Sequence, residues 1–123
     1  MKTILILATM ILTGCVTNPL EPEQTITKQE IIMEITASGA WSGLLAVGDS
    51  SQSINGSGNK SYVYNKSDDW YYLSAQKSTA DSSRLHVAIY RRVTLSDGKI
   101  NTICESSAET TVEYGVATAS QGY

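Results

Sequence analysis

Hydrophobic and polar residues alternate in short runs along most of this chain, and turn-forming residues separate the runs. In the run Glu30–Ala37, Ile31, Met33 and Ile35 share one side, and mainly polar residues occupy the other. Successive side chains of a strand point to opposite faces, so a period of two is the signature of a half-buried strand. This run therefore predicts a β-strand with one buried face.

Seven further segments have strand character and are separated by Gly, Ser, Asn and Asp. They are Trp41–Val47, Ser51–Ile54, Ser61–Tyr64, Trp70–Gln76, Arg84–Leu95, Lys99–Glu105 and Thr110–Ala119. About eight short strands at regular spacing predict an all-β fold, as a single antiparallel β-sandwich with a small β-barrel as the alternative.

The alternation also predicts which side chains fill the core. The expected core residues are Trp41, Leu45, Tyr71, Leu73, Ala75, Leu85, Val87, Ile89, Val112, Tyr114 and Val116. In this phase, Trp70 and Tyr72 fall on the face opposite Leu73 and point away from the core.

A hairpin is predicted where Asp97 and Gly98 separate the segments Arg84–Leu95 and Lys99–Glu105. Asp-Gly is a dipeptide that two-residue type I′ turns prefer, because both central residues of that turn need a positive φ. We therefore expect a two-residue type I′ turn at this point.

The chain's 123 residues support one domain, and its formal net charge is −3. Such mild acidity argues against nucleic acid as a partner, because a phosphate backbone requires clustered Lys and Arg. The chain contains no Phe, so Tyr and Trp must supply aromatic volume to the core.

The N-terminal segment has the plan of an export signal. Lys2 supplies a positive charge, and Thr3–Leu12 is an apolar run that is too short to span a membrane as a helix. The following Leu12-Thr13-Gly14-Cys15 resembles the lipobox of secreted lipoproteins. The resemblance implies cleavage before Cys15, lipidation of that cysteine with palmitate among the attached chains, and anchoring to the cell membrane or outer membrane, with the domain facing the periplasm or exterior. The alternative is an ordinary signal peptide with a cysteine nearby by chance.

These features divide the chain into three parts: a lipoprotein signal peptide at 1–14, the lipidated cysteine and an extended tether at 15–27, and a β-sandwich domain at 28–121. Pro19 and Pro22 disfavour a helix in the tether. With Cys15 assigned to a lipid, no intrachain disulfide is expected for Cys104. Its strand context favours a small buried side chain over a reactive thiol.

Catalytic and metal-binding patterns are not found in the sequence. His86 is the single histidine, no Gly-x-Ser-x-Gly motif is present, and zinc-ligand spacing is absent. Asp68 and Asp69, joined by Asp49 or Asp81, offer oxygen ligands for calcium, but a solvated acidic turn is favoured. We therefore expect no cofactor, no metal and no enzymatic activity.

Two groups of residues are candidates for modification or binding. Asn55, Asn59 and Asn65 begin Asn-x-Ser sequons, which mark glycosylation sites or arise by chance in a Ser-rich loop. The group formed by Asp68, Asp69, Trp70 and Tyr72 is the candidate binding surface, because exposed aromatic side chains stack on sugar rings or anchor partner proteins.

Several short motifs carry a further resemblance. They are Trp41-Ser42-Gly43, Gly48-Asp49, Asn55–Lys60, the aromatic residues near Trp70, and Glu113–Ala117. Together they resemble a family of small exported all-β domains and lipoproteins of unknown function, mainly from archaea of the methanogen type. The resemblance implies a β-sandwich and export, and it supplies no catalytic residues.

The sequence thus predicts a lipid-anchored envelope protein that displays a non-catalytic binding or structural module, with an envelope polysaccharide or a protein as its partner. An envelope inhibitor or phage-exclusion lipoprotein is the alternative, and a hydrolytic enzyme is the least favoured reading.

Overall fold

The computed structural model describes residues 25–123, which form eight β-strands and no helix. The strands are β1 (Ile26–Ala37), β2 (Ala40–Val47), β3 (Ser50–Ser57), β4 (Lys60–Asn65), β5 (Trp70–Lys77), β6 (Leu85–Leu95), β7 (Ile100–Thr110) and β8 (Val116–Gly122). The expected signal peptide, Cys15 and most of the expected tether lie outside the described residues. Within residues 25–123, no helix is long and apolar enough to cross a membrane.

The strands form two four-stranded antiparallel sheets packed face to face. Sheet 1 has the order β4-β1-β6-β7, and sheet 2 has the order β3-β2-β5-β8. The predicted β-sandwich is therefore confirmed, and no closed barrel forms among the described strands.

The core lies between the sheets and is built by the alternation seen in the sequence. Its fully buried members include Ile31, Met33, Ile35, Tyr71, Leu73, Leu85, Val87 and Ile89. Trp41 is buried as well, with its ring against Gly56 and its indole N–H donating to the Gly58 carbonyl (2.9 Å). The indole thus fills core volume while its polar atom is satisfied.

The two long sides of the sandwich differ. At one side, β7 and β8 meet, and the backbone N–H of Ser120 donates to Ser106 Oγ (3.2 Å). At the other side, where β3 and β4 are the edge strands, a crevice of about 210 Å³ is lined by Leu45, Val47 and Tyr64, among others. The sandwich is therefore closed along β7–β8 and open along β3–β4.

The predicted type I′ turn at Asp97-Gly98 is wrong. The loop between β6 and β7 has three residues, since the Leu95 N–H donates to the Lys99 carbonyl (2.8 Å) and the Gly98 N–H to the Leu95 carbonyl (2.9 Å). Of the three loop residues, only Gly98 has a positive φ (90°), whereas a type I′ turn needs a positive φ at both central residues. A type I turn followed by a left-handed glycine is the usual three-residue hairpin loop. The Asp97 carboxylate accepts the Lys99 N–H in this loop (3.0 Å).

The predicted last strand is also wrong in its start and its phase. β8 begins at Val116, and the residues before it form a turn closed by a hydrogen bond from Gly115 N–H to Val112 O (2.9 Å). Val112, Tyr114 and Val116 are exposed at 65%, 54% and 55%, whereas Ala117 is buried. The apolar alternation therefore continues through a turn, and small alanines supply the core face of β8.

Cys104 is buried, as expected, but it is disulfide-bonded. The expectation that it forms no disulfide is therefore wrong. The sequence holds one other cysteine, Cys15, which lies outside the described residues.

Candidate functional site

The outer face of sheet 2 carries no charged side chain. Every second residue of each strand points to this surface, and the registers of the three strand pairs align these residues in rows across the sheet. We call this surface the sheet 2 face. The residues of this face are Ser42, Leu44, Ala46, Ser51, Ser53, Asn55, Trp70, Tyr72, Ser74, Gln76, Val116, Thr118 and Ser120. Hydroxyl and amide groups thus surround a few apolar and aromatic side chains.

A shallow groove of about 490 Å³ runs over this face. Its lining includes Leu44, Asn55, Tyr72 and Gln76. Gly43 lies beneath the groove, where a Cβ would collide with the Ser74 carbonyl, so only glycine lets β2 and β5 approach this closely.

Trp70 and Tyr72 occupy the end of the face that is formed by the start of β5. Trp70 is 45% exposed, and Tyr72 is partly exposed and lines the groove. Gly122 is the register partner of Trp70 and lies against its indole ring. Tyr71 lies between the two aromatic residues and Leu73 follows them, and both Tyr71 and Leu73 are fully buried. The predicted orientation of this strand is therefore confirmed.

Hydrogen bonds hold the loop of Asp68 and Asp69 beside these aromatic residues. The hydroxyl of buried Tyr71 accepts the backbone N–H groups of Ser67 (3.3 Å) and Asp68 (3.2 Å). Asp69 is exposed, and its carbonyl accepts the Tyr123 N–H (2.8 Å). The four predicted binding residues therefore lie together at one end of sheet 2.

A polar network between the two sheets was missed in the sequence. Arg91 Nε donates to Glu105 (3.0 Å), and its Nη1 donates to Gln29 (3.1 Å). Nearby, burial and then the Glu105 charge raise the pKa of Tyr123 to about 12. The Lys66 ammonium lies 4.5 Å from the ring centroid of Tyr123. Arg91 lies two residues after the buried Ile89, so the alternation of β6 points its side chain toward the core. This spacing was the sequence signal that could have revealed the network.

A buried lysine lies at the opposite end of β5. Lys77 is only 4% exposed, and its ammonium donates to the carbonyls of Asp81 and Ser83, both at 2.6 Å. The Asp81 carboxylate lies 3.2 Å from the same ammonium. Three acceptors thus match the three protons of the ammonium, and they fix the loop that follows β5.

Sheet 1 presents a contrasting, ionic outer face. Arg92 pairs with Glu30 (2.8 Å) and Arg84 with Glu109 (2.7 Å). His86 lies opposite Glu109 in the register, and burial followed by the Arg84 charge lowers its pKa. Within the described residues, no group of three His, Cys, Asp or Glu could hold a metal ion.

The three sequons are accessible. Asn55 lies on β3, Asn59 lies in the connection to β4, and Asn65 ends β4; all three side chains are exposed. The Asn59 Oδ1 accepts the Ala37 N–H (3.1 Å), which leaves its amide nitrogen outside this hydrogen bond.

No protein-family model, curated protein or solved structure matches the chain. The candidate site therefore rests on the geometry of sheet 2 alone.

Proposed function

We propose that this chain is an exported envelope protein whose sheet 2 face binds an uncharged polysaccharide without catalysis. One observation carries the proposal: Trp70 and Tyr72 are displayed at a groove that is lined by hydroxyl, amide and apolar side chains and by no charged one.

The chemistry of this face suits a sugar chain. The flat rings of Trp and Tyr accept the apolar C–H faces of pyranose units, and their polar atoms remain available for hydrogen bonds. Groups such as Ser74, Gln76 and Asn55 both donate and accept, as sugar hydroxyls do. A charged polymer would find no countercharge on the sheet 2 face itself, and the carboxylates of Asp68 and Asp69 lie at its border.

Binding is tested with the double variant Trp70→Ser/Tyr72→Ser. Its control is Val63→Ser, which removes an exposed apolar side chain from the outer face of sheet 1. We expect the double variant to lose at least about tenfold in affinity for immobilised neutral envelope polysaccharide, because interface aromatics commonly contribute about 2 kcal/mol each. The control should bind as the native protein does.

Both variants must first give the native thermal melt, since the replaced side chains lie outside the core. Equal binding by the native protein and the double variant would refute the proposed site. A native protein that captures an envelope protein but no polysaccharide would refute the proposed ligand.

Export is supported by two features. The first is the plan of the N-terminal segment, and the second is the disulfide at Cys104, because disulfides persist in oxidising compartments outside the cytosol. We propose that Cys15 carries the lipid anchor in those molecules in which its sulfur has not formed a disulfide with Cys104. A lipid thioether and a disulfide need the same sulfur, so a molecule lipidated at Cys15 has no Cys15–Cys104 bond.

The anchor is tested by labelling with tagged palmitate and by electrophoresis with and without reductant. We expect label on the native protein and on Cys104→Ala, and none on Cys15→Ala. A native protein without label whose mobility shifts on reduction, with Cys15→Ala abolishing that shift, would show Cys15 in an intrachain disulfide and contradict the lipid anchor. The binding proposal would stand in that case, since it uses neither cysteine.

A further inference from the structure

The sandwich has four edge strands, and three of them are blocked against pairing with further strands. In β7, Glu105 is an extra residue that breaks the register with β6. In β8, the Ser120 N–H is taken by Ser106 of β7. β4 begins with the charged Lys60. Bulges, edge charges and covering contacts are the devices by which proteins prevent edge-to-edge association.

β3 has none of these devices. Its eight residues, Ser50–Ser57, include no charge and no proline, and its register with β2 runs without a bulge. An uncharged, regular edge of this length is a template for another strand.

The hairpin register identifies the backbone groups that are available. Val47 and Ser50 flank the two-residue turn and form its hydrogen-bonded pair, so hydrogen-bonded and non-hydrogen-bonded pairs alternate from there. Ser51, Ser53, Asn55 and Ser57 consequently direct their N–H and C=O groups away from β2. Among residues 25–123, no hydrogen bond reaches these groups.

We propose that β3 pairs antiparallel with β3 of a second copy of this chain. A two-fold axis at Ile54 places Ser51 opposite Ser57 and Ser53 opposite Asn55, and all four exposed positions then exchange backbone hydrogen bonds.

The charge pattern favours a second copy as the occupant. A two-fold axis repeats any charge of β3 on the neighbouring copy, where the two like charges repel across the axis, and β3 carries no charge. The chain's own expected tether is a poor occupant, because Pro19 and Pro22 lack the N–H groups that a strand needs.

Pairing through β3 would join two copies of sheet 2 into one eight-stranded sheet. Because the axis is perpendicular to the sheet, both sheet 2 faces lie on the same side of it. The dimer does not depend on the proposed ligand, and it would present two grooves to one polymer.

The test uses the full chain, expressed with its own N-terminal segment and extracted in mild detergent. Its mass is measured by light scattering from micromolar to about 1 mM, the range expected for a small interface. Ser53→Pro removes an N–H that faces away from β2, so the β2–β3 ladder is retained. Ser53→Ala is the matched control, because it changes the side chain and keeps that N–H.

We expect a dimer for the native chain and for Ser53→Ala, and a dissociation constant at least about tenfold higher for Ser53→Pro. Ser53→Lys, which keeps the backbone and sets like charges near each other across the axis, should weaken the dimer as well. If Ser53→Pro fails to give a native circular dichroism spectrum, the dissociation constant of Ser53→Lys decides whether β3 forms the dimer.

A native chain that stays monomeric to about 1 mM would overturn the proposal. So would a dimer that Ser53→Pro and Ser53→Lys leave intact, because another surface would then hold it.

Discussion

Replacing Lys77 by Met removes the buried ammonium and keeps an unbranched side chain of similar length. Lys77 lies in phase with Leu73 on the inner side of β5, and the loop 78–84 folds back over it. The substitution leaves the carbonyls of Asp81 and Ser83 without their donor. We expect the domain to remain folded and to lose stability.

The magnitude follows from the three contacts. A hydrogen bond to a charged group contributes about 1.5–3 kcal/mol, so two short ones to carbonyls represent about 3–6 kcal/mol. The carboxylate of Asp81 is half exposed and screened by water, and we assign it no energy. Relief from burying a charge, together with rotation of the freed carbonyls toward water, offsets about half of the loss. The expected cost of Lys77→Met is therefore about 2 kcal/mol.

For a domain of this size, such a cost lowers the melting temperature by about 10 °C. The control is Lys28→Met, since Lys28 is an exposed lysine 3.6 Å from Glu30, whose loss should change stability by less than about 0.5 kcal/mol. Amide exchange should speed up in the loop 78–84 of the Lys77 variant and stay unchanged elsewhere at low temperature. Equal melting temperatures for the native protein and Lys77→Met would refute the reasoning.

Three further predictions concern other parts of the fold. Leu73→Ala should cost about 2–5 kcal/mol through lost burial and a cavity, and a chemical denaturation midpoint close to native would show that the core repacks. Gly98→Val should cost about 1–2 kcal/mol, because a Cβ there meets no atom within 4 Å and the strain comes only from the φ of 90°; Gly98→Asn should cost less in the same thermal melt, and equal effects would contradict this explanation. Hydrogen bonds from Ser83, first through its side chain, hold the pKa of Asp81 below its usual 3.8, so the carboxylate stabilises the fold above that pH and the contribution is lost as the pH falls below it. Asp81→Asn should therefore show less destabilisation between pH 7 and pH 2 than the native protein, and parallel pH profiles would contradict it.

Much of the fold could be predicted, because burial on one face imposes a period of two wherever a strand is long enough. Ile31, Met33 and Ile35 show this, and so does the division of Leu73 from Trp70 and Tyr72. The same alternation failed at Val112 and Tyr114, where the chain turns. Periodicity reports the spacing of apolar residues and does not report whether a second layer covers them.

The assignment of strands to sheets could not be predicted from local sequence. Three two-residue connections contain glycine, and they are Ser38-Gly39, Gly48-Asp49 and Gly58-Asn59. The middle one makes a hairpin within sheet 2, whereas the other two carry the chain from one sheet to the other. Non-local packing makes that choice. The sequence analysis missed Lys77 and Arg91 because a charged side chain is expected to face solvent. Both nevertheless lie two residues after a buried residue of the same strand, and this spacing points them inward.

The strand order has a consequence for the timing of folding. Only β2–β3 and β6–β7 join neighbours along the chain; the other four pairings, including β1 with β6 and β5 with β8, join distant segments. Pairings of this kind require the closure of long loops before any stabilising contact forms, which places sandwich domains among the slow folders, at milliseconds to seconds. Sheet 2 also cannot be completed until β8, the last of its four strands in chain order, has been synthesised. The two-layer core therefore forms late, because the inner face of sheet 1 has no complete partner layer until β8 is in place.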